Sequence, residues 1–304
     1  MLRLLAWRLA LIPLTVLGVV TILFVIFRSV PGDEATMIAG ATATQAEIDV
    51  VRNQLGLDRP LPVQYAGHIV RLLHGDLGYS ATFRGNPMPR ILERVPATLL
   101  LTASAIALTV AAGIPAGILA AAFQHRWPDF AVSTGVVALL AVPNFWLGMM
   151  LIALFSVQLH WLPSLGLTGP ASLVMPTIAL SARLIALVGR LVRGIVIEEQ
   201  RKDYVRTAYA KGLARPRVLY RHVLRNALIP IVTVLGLQTG YLLGGSVVIE
   251  RLFDWPGIGD LLLTAVGLRD YTLVQGITVL FVIGFLLINL LTELLYRLIN
   301  PRLR

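Results

Sequence analysis

Six apolar stretches dominate this sequence, and each is about as long as the hydrocarbon core of a bilayer is thick. They cover residues 9–27, 97–122, 131–157, 173–191, 228–249 and 271–292. Lipid offers backbone polar groups no hydrogen-bond partner, so each stretch is predicted to be helical. Hydrophobic residues make up 57% of the 304 residues and charged residues only 14%, which excludes an ordinary water-soluble enzyme. We therefore expect an all-α integral membrane protein with six transmembrane helices, in which residues 1–304 form a single transmembrane domain.

The distribution of basic residues predicts how the chain crosses the membrane. Segment 193–227 carries nine Lys or Arg and three Asp or Glu, whereas the short loops on the opposite side, 158–172 and 250–270, carry little positive charge. Basic loops face the cytoplasm, so both termini and segment 193–227 are expected there. The first stretch has a charged leader like that of a signal peptide, but it is too long for one, and we interpret it as a retained helix.

One long connection, about residues 29–95, is expected on the extracytoplasmic side. It contains a predicted helix over 44–55, where Thr44 and Glu47 have the spacing of a capping box. A second helix is predicted over 60–73. These features indicate a small folded extracytoplasmic layer that packs on the outer ends of the spans.

The sequence contains no chemistry that would power transport. It has no cysteine, and its two lysines, Lys202 and Lys211, do not follow a glycine-rich phosphate-binding loop. The five histidines are not clustered, and the spans carry no series of carboxylates suited to proton relay. A chain of this kind is a channel, a passive carrier, or the membrane subunit of a machine that is powered elsewhere.

Small residues and prolines punctuate the spans. Gly236, Gly240 and Gly244 recur every four residues, which would allow another helix to approach closely. The alternative is chance spacing in a glycine-rich membrane protein. Pro115 and Pro143 lie inside apolar stretches, where neighbouring helices tolerate a kink.

Segment 193–227 is predicted to form two helices and a turn. The first covers 193–211 with a Glu198–Lys202 pair, Gly212 occupies the position after its end, and Pro216 opens the second. Pro230 then marks the start of the next span. Apolar and aromatic residues around the turn favour insertion into the groove of a partner. An amphipathic helix on anionic lipid is the alternative, and a DNA-binding motif is disfavoured because membrane tethering already explains the basic charge.

Ordered blocks along nearly the whole chain resemble the permeases of ABC importers, in the branch that serves dipeptides, oligopeptides, glutathione and nickel. The blocks are DYVRTAYAKGL at 203–213, RHVLRNALIP at 221–230, VPGD at 30–33, LGLDRPL at 55–61, GDLGYS at 75–80, GGSVVIE at 244–250, FDWPGIG at 253–259, RDY at 269–271 and NPR at 300–302. Two departures are Arg206-Thr207-Ala208, where the broader family has Glu-Ala-Ala, and Glu34, where it usually has proline.

The resemblance implies a permease subunit in a bacterial-type inner membrane, importing di- or oligopeptides or glutathione. It implies a second permease, two cytoplasmic ATPases that bind ATP and Mg²⁺, and an extracytoplasmic binding protein, with no catalytic residue or cofactor in this chain. A coupling helix would dock into an ATPase through Tyr204, Thr207, Ala208, Ala210, Lys211, Gly212 and Leu213. Nickel or metal-chelate import is the alternative within the family, and a stand-alone channel or passive carrier is the alternative outside it.

Three polar residues within the spans are candidates for lining the pathway: Arg183, Asn144 and Gln238. A buried arginine is costly in lipid, so Arg183 should face protein or water, where it could attract a peptide carboxylate. It could instead pair with helix carbonyls or an acid, or lie at a shallower depth. Asn144 could equally satisfy backbone groups freed by Pro143.

Overall fold

The computed structural model describes residues 2–29, 34–40 and 42–299, with side chains from Ala10 to Leu294 apart from Glu34, Met37 and Ile229. The matches at 30–33 and 300–302 therefore lie outside the described residues. The described chain is helical, and its α-helices are α1 (Leu2–Ser29), α2 (Glu34–Ala39), α3 (Gln45–Leu55), α4 (Leu61–Leu73), α5 (Met88–Ala122), α6 (Trp127–Ala141), α7 (Asn144–Leu151), α8 (Val174–Gln200), α9 (Asp203–Ala210), α10 (Arg215–Val218), α11 (Leu224–Leu252), α12 (Ile258–Gly267) and α13 (Tyr271–Ile299).

Five of the described helical segments are long and apolar enough to cross a membrane, and a sixth crossing requires the bent pair of α6 with Asn144–Gln158. The prediction of one continuous helix over 131–157 is therefore wrong, because the two halves meet at an angle of 100°. Val142 is extended with ψ of 123°, as expected for a residue whose backbone is restricted by the following Pro143. Beyond α7 the second half continues as a π-helix over Ile152–Gln158.

Residues 1–96 and 257–284 form one compact unit, here called the first unit. The predicted capping box of α3 is confirmed, with Thr44 and Glu47 exchanging hydrogen bonds. Residues 250–270 are not simply a loop, because α12 lies within them and buries Ile258, Leu261 and Ala265. These residues pack with Leu77 and Ile91 in the core of the unit.

A buried carboxylate organises the start of α13 in the first unit. Asp270 accepts hydrogen bonds from Ser80 Oγ at 2.6 Å, from Thr82 N at 3.0 Å and from Leu273 N at 3.0 Å. The bond from Leu273 caps the first turn of the helix, where backbone N–H groups otherwise lack partners. One side chain therefore fixes both the helix start and the loop that contains Ser80.

Residues 97–256 and 285–304 form the second unit, whose core lies around α8. Helix α5 approaches α8 closely at Gly117, because a Cβ atom at this position would collide with the Gly189 carbonyl and with Val192. Trp255 is fully buried and donates through Nε1 to the Ala97 carbonyl at 2.9 Å. The prediction of one domain over 1–304 stays a prediction.

Candidate coupling surface and pathway residues

Helix α9 is a separate short helix. The prediction of one helix over 193–211 is wrong, because α8 ends at Gln200 and α9 begins at Asp203. Lys202 adopts an extended conformation (φ −75°, ψ 150°) immediately before α9. Its ammonium pairs with Glu199, one turn back, instead of the predicted Glu198. This contact closes the connection between the two helices, and the Glu199 carboxylate raises the pKa of Lys202.

The end of α9 follows the predicted pattern. Gly212 has φ of +77° and lies one residue beyond the cap at Lys211. Its N–H donates to the Tyr209 carbonyl at 2.9 Å, and the Leu213 N–H donates to the Ala208 carbonyl at 3.3 Å. These two bonds define a Schellman motif. The prediction that Gly212 is the glycine after the helix is confirmed, and the turn after α9 has a defined shape.

The inner face of α9 packs onto the core of the second unit. Val205 is fully buried and Ala208 is 5% exposed, and both belong to the cluster around α8. Tyr204 and Leu213 are partly buried against the same cluster. The Tyr204 hydroxyl donates to Glu199 Oε2 at 2.5 Å, and burial together with this carboxylate raises the pKa of Tyr204.

The outer face of α9 and its turn presents the remaining predicted residues, which are Thr207, Ala210, Lys211 and Gly212. Tyr209 and Arg206, which the predicted set omits, are exposed on the same surface, and Tyr209 is 44% exposed. We call these six residues the α9 surface. Of the seven predicted coupling residues, Tyr204, Ala208 and Leu213 therefore support α9 from within, and the other four belong to the exposed surface.

The flanking helices hold α9 from both sides. After the turn, α10 begins at Arg215 with Pro216 in its first turn, as predicted, and a π-helical segment over Leu219–Val223 joins it to α11. Pro230 lies inside α11, and the apolar part of that helix that can cross a membrane is Pro230–Leu252, so the prediction that Pro230 marks the start of the span is confirmed. Helical backbone thus runs from α10 through to the end of α11 at Leu252.

Two polar contacts that the sequence analysis missed anchor neighbouring helix ends. Arg193 on α8 donates from Nε to Oδ1 of Asp129 at 2.5 Å and from Nη2 to Oδ2 at 2.8 Å. Arg215 donates from Nη2 to the Ala122 carbonyl at the end of α5 at 3.0 Å. Asp129 was detectable as an isolated acid at the start of an apolar stretch, but its partner is 64 residues away.

The three pathway candidates lie on α7, α8 and α11, helices that pack against one another. Arg183 is exposed on α8 between the buried residues Ala182 and Leu184. Asn144 is the first residue of α7, and Gln238 is half-buried on α11. Within the described part of the chain, no side-chain hydrogen bond or ion pair joins any of the three to another residue. Pairing of Arg183 with helix carbonyls is not seen there, nor is bonding of Asn144 to the backbone near Pro143.

The predicted glycine face of α11 is in part a close contact with the second half of α13. A Cβ atom at Gly236 would collide with Thr292, and one at Gly240 would collide with Phe285. No atom lies within 4 Å of the corresponding position at Gly244. Two of the three glycines therefore occupy positions where a larger side chain would not fit.

Comparison with protein families assigns nearly the whole chain. Residues 113–304 match the family described as the binding-protein-dependent transport system inner membrane component. Residues 1–102 match the N-terminal part of the membrane components of the same transport systems. With its apolar helices, the chain is a multi-pass protein of the inner membrane.

Curated relatives and solved structures agree with this assignment. The glutathione transport system permease protein GsiC of Escherichia coli K12 is 43% identical over 296 residues, covering 97% of this chain and 96% of the relative. The Pectobacterium atrosepticum protein of the same description is equally similar. The inward-facing MetNI methionine ABC transporter matches with a TM-score of 0.60 at 21% identity, covering 71% of this chain and 99% of that one. An amino acid ABC transporter with histidines matches with a TM-score of 0.56 at 16% identity over 69% of this chain and 94% of that one. The chain belongs to the family of binding-protein-dependent transport system inner membrane components, as an ABC-importer permease of the branch that contains the glutathione-transport permeases.

Proposed function

We propose that this permease forms half of the translocation pathway of an ATP-driven importer of short peptides, with glutathione as the first substrate to test. The named function of the relatives that are 43% identical supports the substrate class. Partner ATPases would bind ATP and Mg²⁺ and hydrolyse the nucleotide. A second permease would complete the pathway, and an extracytoplasmic binding protein would deliver the substrate.

The observation that carries the proposal is the two-sided character of α9. Its inner face is buried in the same core as α8, whereas its outer face exposes the α9 surface. Packing of the inner face holds α9 in place, and the outer face leaves a polar and aromatic surface for a partner. Such a surface suits the docking of a cytoplasmic ATPase in the orientation that the basic residues predict.

Force applied to α9 would reach two membrane-spanning helices. The connection from α8 is closed by Glu199, and the connection to α11 runs through continuous helix from Arg215. Packed elements move as rigid bodies between discrete arrangements. Closure of the ATPases would therefore displace α8 and α11 together and would switch the pathway from inward-open to outward-open.

A reconstituted complex tests the proposal. The permease pair, the ATPases and the binding protein are placed in liposomes, and uptake of labelled glutathione, a dipeptide and nickel is measured with and without ATP. We expect ATP-dependent uptake of glutathione or the dipeptide. Uptake of nickel alone would support the alternative substrate, and equal uptake without ATP would support a channel or passive carrier.

A substitution in the α9 surface tests the coupling. Tyr209→Glu should weaken copurification of the ATPases and abolish ATP-driven uptake, because it places a charge in the docking surface. Tyr220→Glu is the matched control, since Tyr220 is 63% exposed outside that surface. Normal uptake by a well-inserted Tyr209→Glu protein would overturn the assignment of this surface.

A further inference from the structure

A cavity of about 300 Å³ lies within the first unit. It is lined by residues from the end of α1, the α3–α4 connection, α4, the loop before Ser80 and the start of α13. The volume is at the small end of the range for ligand pockets. Three of the blocks quoted above, at 55–61, 75–80 and 269–271, contribute residues to the lining, but no role was assigned to them.

The described residues that line the cavity include basic side chains but no acidic one. The basic residues are Arg28, Arg59, Arg71 and His68. Within the described chain, neither Arg59 nor Arg71 forms an ion pair or a side-chain hydrogen bond. Arg28 lies over the Phe24 ring at 5.5 Å from its centroid. The guanidinium groups of Arg59 and Arg71 favour an anion, because arginine binds carboxylates through paired charged hydrogen bonds.

The lining of the cavity contains a polar pair, Gln275 and His68. The Gln275 amide nitrogen lies 2.8 Å from Nε2 of His68, which is buried. Burial, together with Arg71 and Arg28, lowers the pKa of His68, so the ring is neutral near pH 7. Its Nε2 then accepts the hydrogen bond from the Gln275 amide. The positive charge of the cavity therefore comes from the arginines.

Two wall residues carry polar atoms that are shielded from solvent and have no hydrogen-bond partner in the described chain. They are Oε1 of Gln64 and the hydroxyl of Tyr271. The orientation of the Gln64 amide is fixed, because its nitrogen donates to the Leu57 carbonyl at 3.0 Å and to the Arg59 carbonyl at 2.7 Å. The ring of Tyr271 is held by stacking on Phe27 at 4.9 Å. Both residues line the cavity, so an acceptor and a hydroxyl without partners in the described chain lie within its wall.

We propose that this cavity binds a small molecule that carries both a carboxylate and an N–H donor, such as a short peptide. Arg59 and Arg71 bind the carboxylate, and a small opening of the wall lets the Tyr271 hydroxyl donate to it and Oε1 of Gln64 accept from the N–H group. In the orientation that the sequence predicts, the cavity faces the outside of the cell, where it would receive substrate before the pathway opens. The identity of the ligand as the transported peptide rests on the proposed function, whereas the carboxylate site does not.

Binding is measured by calorimetry on the permease pair with its ATPases, in nanodiscs of phosphatidylcholine and without the binding protein. The probes are glutathione, glutathione with both carboxylates esterified, and inorganic phosphate. We expect Arg59→Gln with Arg71→Gln to weaken glutathione binding by about tenfold or more, as for lost charged hydrogen bonds. The ester should bind the wild type weakly, and phosphate should bind less tightly than glutathione because it offers no N–H donor.

The matched control is Arg84→Gln with Arg90→Gln, which removes the same charge from residues of the first unit outside the cavity lining. It should bind glutathione as the wild type does. Arg59→Lys with Arg71→Lys keeps the charge and should recover part of the affinity, which separates binding from folding. Equal affinity in the glutamine double variant and the wild type would overturn the proposal.

Two further arms separate the alternatives. Glutathione binding that disappears in nanodiscs containing phosphatidylglycerol would overturn the proposal in favour of a lipid headgroup site. If ATP-driven uptake persists but the affinity for glutathione does not depend on Arg59 and Arg71, the proposed binding site is wrong and the proposed transport function is retained. Arginine-dependent binding without any ATP-driven peptide uptake would support the cavity and overturn the proposed function.

Discussion

The Tyr204 hydroxyl donates to Oε2 of Glu199 at 2.5 Å, across the break between α8 and α9. The other oxygen of the same carboxylate pairs with Lys202. Glu199 therefore holds the first turn of α9 and the residue before it at once. The carboxylate sets the angle at which α9 leaves the end of α8.

Tyr204→Phe should loosen this junction. Loss of one hydrogen bond to a charged group costs about 1.5–3 kcal/mol, and because α9 would then be free to tilt, more ATP should be hydrolysed for each peptide imported. The ratio of ATP hydrolysis to uptake in proteoliposomes measures the effect. Tyr220→Phe, which removes an exposed hydroxyl outside the α9 surface, should leave the ratio unchanged. A Tyr204→Phe complex with the wild-type ratio would show that the junction does not transmit force.

Gly212→Ala should destabilise the turn after α9 through the backbone alone. The φ of +77° is costly for a residue with a Cβ atom, by about 1–2 kcal/mol, and no atom lies within 4 Å to add a steric term. Hydrogen exchange across 203–214 should therefore be faster. Gly194→Ala is the control, because Gly194 is helical and its Cβ position is also open. Unchanged exchange in Gly212→Ala would contradict the Schellman motif.

Gly236→Ala should destabilise the contact between α11 and α13. The added Cβ atom would collide with Thr292, and overpacking of this kind costs about 1–3 kcal/mol. Thermal unfolding in detergent measures the change, and Thr292→Ala in the same chain should restore part of it by making space. At Gly244 there is open space, so Gly244→Ala should unfold at the wild-type temperature or slightly above it. A larger effect at Gly244 than at Gly236 would contradict the packing.

The stability of the first unit should depend on pH through His68. Burial and the nearby arginines lower its pKa from the ordinary value of 6.5, so the unfolded chain takes up a proton more readily than the folded chain. The stabilisation is complete above about pH 6.5 and is lost as pH falls below it. Unfolding temperatures of the wild type and His68→Gln are measured from pH 8 to pH 5. As the pH falls, the unfolding temperature of the wild type should decrease more than that of His68→Gln. A difference that is constant with pH would rule out this role.

Local signals in the sequence were sufficient where short-range geometry decides the structure. The capping box at Thr44 and Glu47 and the glycine at 212 each depend on residues within one turn, and both were predicted correctly. The 100° bend at Pro143 was missed, because the length of an apolar stretch indicates that a span can form but not how the helix changes direction within it. The inward position of Ala208 was missed because the buried face of α9 is set by tertiary packing in the core of the second unit.

The sequence predicted where along the chain the turn after α9 lies but not which residues around it are exposed, and the coupling role of this surface stays a prediction. An exposed set of Thr207, Ala210, Lys211 and Gly212 followed from the resemblance, whereas Arg206 and Tyr209 were omitted from it. The cavity in the first unit was not predicted, because its arginines belong to separate elements. Arg28 lies on α1 and Arg71 lies on α4, and only the folded chain places them in one lining.

The carboxylate of Asp270 also limits how this chain can change in length. Its bonds to Ser80, Thr82 and Leu273 require these residues at fixed positions. An insertion or deletion between Ser80 and Thr82, or between Asp270 and Leu273, would leave a buried carboxylate without its donors. Related chains should therefore keep the spacing around Ser80 and Asp270 unchanged.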